Sequence, residues 1–315
     1  MKKLVSILVP CYNSESLIQK LLQSILSQDY PYIEVIVIND GSTDNSLSVI
    51  YSYLNEFEKK GYILKIISQK NAGQASAINN ALQYFSGDYL SWIDADDWLE
   101  PSAIADKVKY LERNLEYGLV RSDVSIYFYP NYKIASYKFS DKMDFSNENI
   151  FDDLILENNV YFCPGGYLVR TTALKKVLPN LKIINSRAGQ NWQILLPLTL
   201  EFKCGYINKP LFNYLIRENS HSRKEKDKIQ ELKKLQSHEE LLKKIIYSLK
   251  LNNKKKYAKI IEKKYLDKKI SIYYKYNDIK NILKLTLKRK NIKSIIKSIL
   301  VILKLTLKKI KYFIN

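Results

Sequence analysis

The sequence predicts an α/β fold, a mostly parallel sheet with helices on both faces, followed by a basic helical tail. Three observations predict it. Four strand-then-helix units succeed one another in the first hundred residues. A polar cluster follows each of those strands. Almost all the excess charge lies after residue 222.

The first unit opens on Val5–Val9, a continuous apolar run of strand length. Ser14 is a candidate cap for a helix whose apolar face holds Leu17, Ile18, Leu21, Leu22, Ile25 and Leu26. Pro31 breaks it. Glu34–Ile38 is a second buried strand and ends in Asn-Asp-Gly-Ser-Thr-Asp. A helix follows with Leu47, Ile50, Tyr53, Leu54 and Phe57 on one side, and Gly61 closes it. Ile63–Ile67 is the third strand, Ala75–Phe85 the next helix, and Tyr89–Ile93 the fourth strand, which runs into Asp94-Ala95-Asp96-Asp97. Such βα units join by right-handed crossovers, and their ligands bind beyond the carboxyl ends of the strands. The clusters Pro10–Ser14, Asn39–Asp44, Gln69–Gln74 and Asp94–Asp97 all fall there.

Residues 101–222 are less regular. A helix over 104–115 precedes strands at 119–128 and 134–139, paired around Pro130-Asn131. Short helices are expected at 149–157 and 172–177, with a strand at 167–169 between them. Asn191–Leu200 reads as an amphipathic helix that Pro197 kinks or shortens. Strands at 204–207 and 211–216 close the body. We therefore divide the chain into a body at residues 1–222, with halves at 1–100 and 101–222, and a tail at 223–315.

Net charge is +19, yet its distribution excludes a basic body. Residues 223–315 carry 29 Lys and Arg against 8 Asp and Glu, while residues 1–222 carry 22 against 24. Cys11, Cys163 and Cys204 are odd in number, widely spaced and form no CxxC. That excludes a disulfide framework or a zinc ribbon and fits a reducing compartment. Lys2 and Lys3 before an apolar run resemble a signal peptide, but the run ends at Pro10 and reads as a strand. No stretch approaches the length of a spanning helix.

Two carboxylates at i and i+2, here Asp94 and Asp96, can face one divalent cation. Mg²⁺ or Mn²⁺ takes oxygen ligands and neutralises a diphosphate leaving group. A solvated acidic turn capping the next helix would read the same way. Asp40, at the end of the second strand, can accept from a base N–H or a ribose hydroxyl, though Asn-Asp-Gly is also a strong turn in which Thr43 or Asp44 caps the next helix.

In order, spacing and strand context, Pro10-Cys11-Tyr12-Asn13, Asn39 to Asp44, Asn71-Ala72-Gly73 and Asp94 to Asp97 resemble the family 2 glycosyltransferases. The resemblance is close over residues 3–100 and looser to 222, and it implies a nucleotide-sugar half at 1–100 and an acceptor half at 101–222. It implies a GT-A fold, a nucleoside-diphosphate sugar donor (most often UDP-linked), a divalent cation and inversion at the anomeric carbon. By resemblance, Pro10, Tyr12, Asn13, Asp40, Asn71, Gly73, Gln74, Asp94 and Ala95 bind the sugar nucleotide, and Asp94 and Asp96 the metal. It also implies a glycan or lipid-linked acceptor and work in bacterial surface polysaccharides such as capsule or O-antigen.

Two departures from the family pattern stand out. Ile78 occupies a position where Arg is common, which removes a cationic donor contact. Gln190-Asn191-Trp192 stands where an acidic pair before an aromatic residue is usual. An amide has no lone pair that titrates near neutrality and cannot act as a general base. Either Asn191 and Gln190 only orient the acceptor, or Asp123, Asp152 or Asp153 serves as base, or the chain binds without turnover. Trp192 is a candidate to stack on an acceptor sugar, against the core place its helix offers it. His221, with Arg217 and Arg223, is a candidate to reach the metal or diphosphate, against a solvated loop. A nucleotidyltransferase would need a Gly-rich basic loop after the first strand, which residues 10–14 lack.

The tail reads as helices free of Gly and Pro. On a wheel, Lys290, Lys293, Lys297, Lys304, Lys308 and Lys311 fall within about 60°, and Ile292, Ile295, Ile299, Leu303 and Ile310 lie on the wide remainder. A narrow Lys face on a broad apolar one suits anionic lipid. Packing on the body or on a second copy in an oligomer is the alternative. Nucleic acid is not expected, since no motif for it occurs. The expected place is the cytoplasmic face of the plasma membrane, held peripherally.

Overall fold

The computed structural model describes residues 2–187, 189–217 and 227–288. The chain forms two compact units, Met1–Lys224 and Glu225–Asn315. His221, Arg223 and the segment 290–315 lie outside the described residues.

In the first unit, β1 (Val5–Cys11), α1 (Ile18–Leu26), β2 (Ile33–Asn39), α2 (Ser46–Ser52), α3 (Leu54–Lys60), β3 (Ile63–Ser68), α4 (Gln74–Ala81) and β4 (Tyr89–Trp92) realise the expected alternation. After them come β5 (Trp98–Leu99), α5 (Ala103–Arg113), β6 (Tyr117–Phe128), β7 (Tyr137–Lys138), α6 (Phe151–Leu156), β8 (Tyr167–Arg170), α7 (Thr171–Val177), α8 (Gln190–Glu201) and β9 (Lys203–Ile216).

One sheet holds the nine strands in the order β3-β2-β1-β4-β8-β6-β9-β5, with β7 on β6. The pairs β1/β2, β1/β4, β2/β3 and β6/β9 are parallel, whereas β8 is antiparallel to both β4 and β6. Strands β1, β2, β3, β4, β6 and β9 therefore run one way, and all their carboxyl ends meet one edge of the sheet. Strands β1 and β2 are apolar along nearly their whole length because helices cover both faces. Glu34 is the exception, fully buried inside β2. Burial alone would raise its carboxyl, but the Ser6 hydroxyl, the Ser86 amide and the Lys65 ammonium hold it below the usual range.

Four elements differ from expectation. The helix predicted across 47–57 is broken at Tyr53 into α2 and α3. Ser14 does not cap α1: the helix starts at Ile18 with Leu17 at its N-cap and no side-chain cap, the Ser14 carbonyl accepts the Leu17 and Ile18 N–H groups in the turn before it, and the Ser14 hydroxyl donates to the Tyr12 carbonyl. Helix α8 runs unbroken through Pro197, and residues 191–199 are all buried, so it is a core helix rather than an amphipathic one. The two predicted strands at 204–207 and 211–216 are one strand, β9, whose register against β6 shifts around Asp123.

The second unit contains α9 (Lys228–Ser248), α10 (Lys254–Lys275) and α11 (Ile279–Lys288). Lys243–Glu262, Lys269–Glu239 and Lys275–Glu231 pair α9 with α10 in antiparallel register. Leu242, Ile246 and Ile261 lie fully buried. No described helix is long and apolar enough to cross a membrane.

Candidate active site

The site grows from the carboxyl ends of β1, β2, β3 and β4. Asp40, 4% exposed, receives the backbone N–H groups of Ala72 and Gly73 at 2.9 Å and the Gln69 amide at 2.7 Å, while its own carbonyl accepts the Asn71 amide. The second and third loops are thereby fastened through one carboxylate. Asn13, in left-handed backbone at φ 47°, accepts the Thr43 N–H at 2.8 Å, and its own N–H donates to the Ser42 hydroxyl. Asp44 accepts the Ser46 N–H at the start of α2, as a cap does. Tyr12 stands 40% exposed beside this frame, and Asn71 is exposed.

Beyond β4 lies the acidic cluster. Burial and the neighbouring Asp96 push the Asp94 carboxyl up to about 7. Ala95 is buried between the two. Asp96 Oδ2 accepts from Arg217 Nε at 3.1 Å and Nη2 at 2.5 Å. Asp97 is fully buried. Burial first, then Asp96 and Asp94, raise its carboxyl well above the ordinary range. Its Oδ1 accepts the Leu215 N–H at 2.9 Å, while Oδ2 has no protein partner. Asp97 thus pins β9, and Asp94 and Asp96 face the cleft. Among the described residues no group of three acidic, His or Cys side chains converges as a metal cage. Two crowded carboxylates that repel each other's charge nevertheless fit a hard cation, with its other ligands drawn from phosphate oxygens and water.

Helix α8 brings the acceptor half to this cluster. Gly189 precedes it in left-handed backbone at φ 65°. Gln190 Nε2 donates to Gln74 Oε1 at 2.5 Å, and Gln74 Nε2 donates to Asp94 Oδ1 at 2.5 Å. A chain of two amides thus joins α8, α4 and the first carboxylate. Asn191 points inward instead. Its Oδ1 accepts Trp92 Nε1 at 2.7 Å, and its Nδ2 donates to the Phe162 carbonyl at 2.6 Å.

Against known proteins, the glycosyl transferase family 2 model matches residues 6–178, more than half the chain. The chain belongs to glycosyl transferase family 2. It is 27% identical over 222 residues to the putative teichuronic acid biosynthesis glycosyltransferase TuaG of Bacillus subtilis, covering 70% of this chain and 81% of TuaG. The matched stretch spans only 31% of the glycosyltransferase GlyA of Streptococcus pneumoniae and 33% of an uncharacterized glycosyltransferase of Haemophilus influenzae, about a third of each relative's length. Among solved structures, S. aureus TarS 1–349 in complex with UDP-GlcNAc superposes with TM-score 0.67 at 18% identity, covering 90% of this chain and 79% of that one. The mannosyltransferase PcManGT of Pyrobaculum calidifontis, in complex with GDP-Man and Mn²⁺, gives TM-score 0.61 at 16% identity, covering 93% and 78%. These likenesses show the GT-A fold.

As a family 2 glycosyltransferase, the chain departs from its expected site in three places. Asn191 has both side-chain groups spent inside the scaffold, so it does not orient an acceptor. Trp192 is 5% exposed, donates Nε1 to the Leu154 carbonyl at 3.1 Å and packs edge-on against Phe162, which leaves no ring face for a sugar. Asp123, a base candidate, is buried, with its two oxygens on Val124, Ser140 N–H and the Ser140 hydroxyl. Asp152 and Asp153 sit in the first turn of α6, where Asp153 accepts from Asn147. Ile78 is fully buried, so the missing Arg is a core side chain here. Arg217 is one of three basic or imidazole candidates in the sequence, and the run of β9 beside β5 and β6 delivers it to Asp96. The aromatic segment after β6 carries no functional signal in the sequence, because nothing in its local pattern says that β6 ends at the same edge as β4.

Proposed function

We propose that this chain transfers a glycosyl unit from a nucleoside-diphosphate sugar, most simply a UDP-sugar, to a hydroxyl of a glycan or lipid-linked acceptor, with inversion, in the synthesis of a bacterial cell-surface polysaccharide. The observation that carries the proposal is the meeting, at one sheet edge, of the loops fastened on Asp40 with the Asp94–Asp96 pair. The nucleoside would lie over Tyr12, Asn13 and Asp40, with Asn71 and Gly73 on its flank. Asp94 and Asp96 would hold Mn²⁺ or Mg²⁺, as the Mn²⁺-bound relative makes reasonable. That cation would supply positive charge to the departing diphosphate.

The acceptor oxygen bonds to the anomeric carbon as the bond from that carbon to the diphosphate oxygen breaks. The diphosphate leaves with the electron pair, and the acceptor proton departs to solvent. Arg217 balances Asp96 and gives a second cation at the diphosphate. Gln190, held through Gln74, donates or accepts beside the acidic pair and takes no proton. The absence of any acid at 190–191 favours a second reading, a member that binds sugar nucleotide without turnover. The peripheral membrane place of the enzyme rests on the Lys-faced segment 290–315 in the sequence.

A thermal-shift panel of UDP, GDP and their sugars with and without Mn²⁺ tests the first reading, because a ligand that binds only the folded state raises Tm. A Mn²⁺-dependent rise with at least one nucleotide, with release of nucleoside diphosphate on adding acceptor, is expected. No rise with any of them would sink the proposal. A rise without release or hydrolysis would leave the binding-only reading.

A further inference from the structure

The carboxyl end of β6 lies beside that of β9, and the Tyr129 N–H donates to the Ile216 carbonyl at 2.9 Å. The next residue of β9's chain is Arg217, which holds Asp96. The segment that leaves β6 carries Tyr127, Phe128, Tyr129 and Tyr132 within six residues. Phe128 is 44% and Tyr129 57% exposed. Tyr129 and Tyr132 stand edge to face at 6.0 Å, and Tyr132 and Tyr127 both pack on Trp98, at 6.1 and 4.7 Å. Lys20 of α1 sits 3.5 Å above the Trp98 ring and 4.3 Å from that of Tyr132, clamping the segment to the nucleotide half. An Asx turn on Asn131 and a bond from Ser136 N–H to the Ile126 carbonyl shape the loop from within. Burial, and then the neighbouring Tyr129, raise the Tyr132 phenol.

We infer that Tyr129 and Tyr132, set at right angles and backed by Trp98 and Lys20, form an angled platform on which a pyranose ring of the acceptor glycan lies, its C–H face on the exposed ring of Tyr129. The inference rests on the glycosyltransferase reading above. A pyranose presents an apolar C–H face and a rim of hydroxyls. Fixed tyrosine rings meet the face with little entropy cost, while their phenols and the neighbouring Arg217 meet the rim. The position suits an acceptor, because in an inverting displacement the incoming hydroxyl reaches the anomeric carbon from the face opposite the leaving group, and so lies across the donor sugar from the diphosphate that Asp96 and Arg217 would flank. Trp192, the aromatic residue that sequence alone suggested for this task, is closed inside the core.

The test uses the full chain with Mn²⁺ and UDP, and cellotetraose, chitotetraose and β-1,4-galactotetraose as glycan probes. Saturation-transfer NMR reads glycan contact, and the UDP thermal shift reads the donor side separately. At least one probe is expected to bind, and Tyr129→Ala is expected to weaken it about tenfold. Tyr129→Phe, which keeps the ring, should stay within about twofold. The UDP shift should persist in both variants. Tyr129 is exposed, so folding is not at risk. The inference falls if a chain that binds UDP binds none of the glycans, or if Tyr129→Ala binds them as wild type does. It also falls if the substitution instead lowers sedimentation with phosphatidylglycerol vesicles while glycan binding is unchanged. Failure of the UDP shift in wild type would strike the donor reading and leave the glycan readout to judge the platform.

Discussion

At the residue scale, one buried group tells most about the balance of charge and burial. Lys107 is 1% exposed on α5 and donates to the Gly165 carbonyl at 2.8 Å, and its ammonium is lowered to about 7 by burial. The unfolded chain holds that proton up to about pH 10.4. Between these values the unfolded state binds more protons, so stability rises with pH, by up to about 1.4 kcal/mol per unit. Below pH 7 both states are charged and the full penalty stands. Lys107→Met should therefore be more stable than wild type at pH 7, with an advantage that shrinks steadily toward pH 10. Urea unfolding at four pH values measures it; an advantage independent of pH would contradict the burial account. Asp96 offers a different kind of prediction. If it is a cation ligand, Asp96→Asn should lower turnover at least about a hundredfold and abolish the Mn²⁺ dependence of UDP binding, while the Tm without ligand moves little. Turnover near wild type would remove the cation from that residue.

At the scale of elements, the loops between strands and helices carry the site, and backbone geometry decides whether they meet. Gly41 sits at φ 72°, and a Cβ there would stand 2.8 Å from the Asn71 backbone nitrogen. Gly41→Ala should cost about 1–3 kcal/mol and push the loop of Asn71 away from Asp40. UDP affinity should fall with stability, by about tenfold, in a calorimetric titration; undiminished affinity would mean that the Asp40 frame does not shape the donor site. This level of detail was partly legible. The periods of β1, α1 and β2 were plain because each buries an apolar run, and the polar residues after them could only be loops. The break at Tyr53 was hidden, since the apolar face continues across it. Helix α8 reads as amphipathic in the sequence because its polar Asn191 and Gln193 are buried and satisfied by Trp92, Phe162 and Ile184, pairings that only tertiary contact creates, while Thr199 bonds back to the Leu195 carbonyl of its own helix. For the same reason the amide pair at 190–191 looked like one functional unit, whereas Gln190 faces the acidic cluster and Asn191 the core.

Over the whole molecule, charge and fold divide the chain in the same region: a near-neutral body and a helical second unit that begins at Glu225. The described helices of that unit pair their own charges, with Glu231, Glu239 and Glu262 answering lysines across α9 and α10. The segment 290–315, by contrast, has no acidic residue at all to answer its lysines. Each Lys near an anionic surface contributes about 1 kcal/mol, and the attraction fades within a Debye length. On the helical wheel that the sequence predicts for this segment, six lysines share one face above a broad apolar remainder, and they should therefore hold the chain on phosphatidylglycerol vesicles in low salt and on phosphatidylcholine vesicles far less. Removing 290–315 should release it, and raising salt from about 0.05 to 0.5 M should weaken binding without abolishing it, because the apolar face is insensitive to screening. Reversing Lys297 and Lys304 to Glu separates the two contributions: the charge of 290–315 falls from +7 to +3, so binding in low salt should fall and its salt dependence weaken. Sedimentation with vesicles measures each case. Equal sedimentation of the truncated and full chains would send the tail back to a protein partner, the other role that its wide apolar face allows.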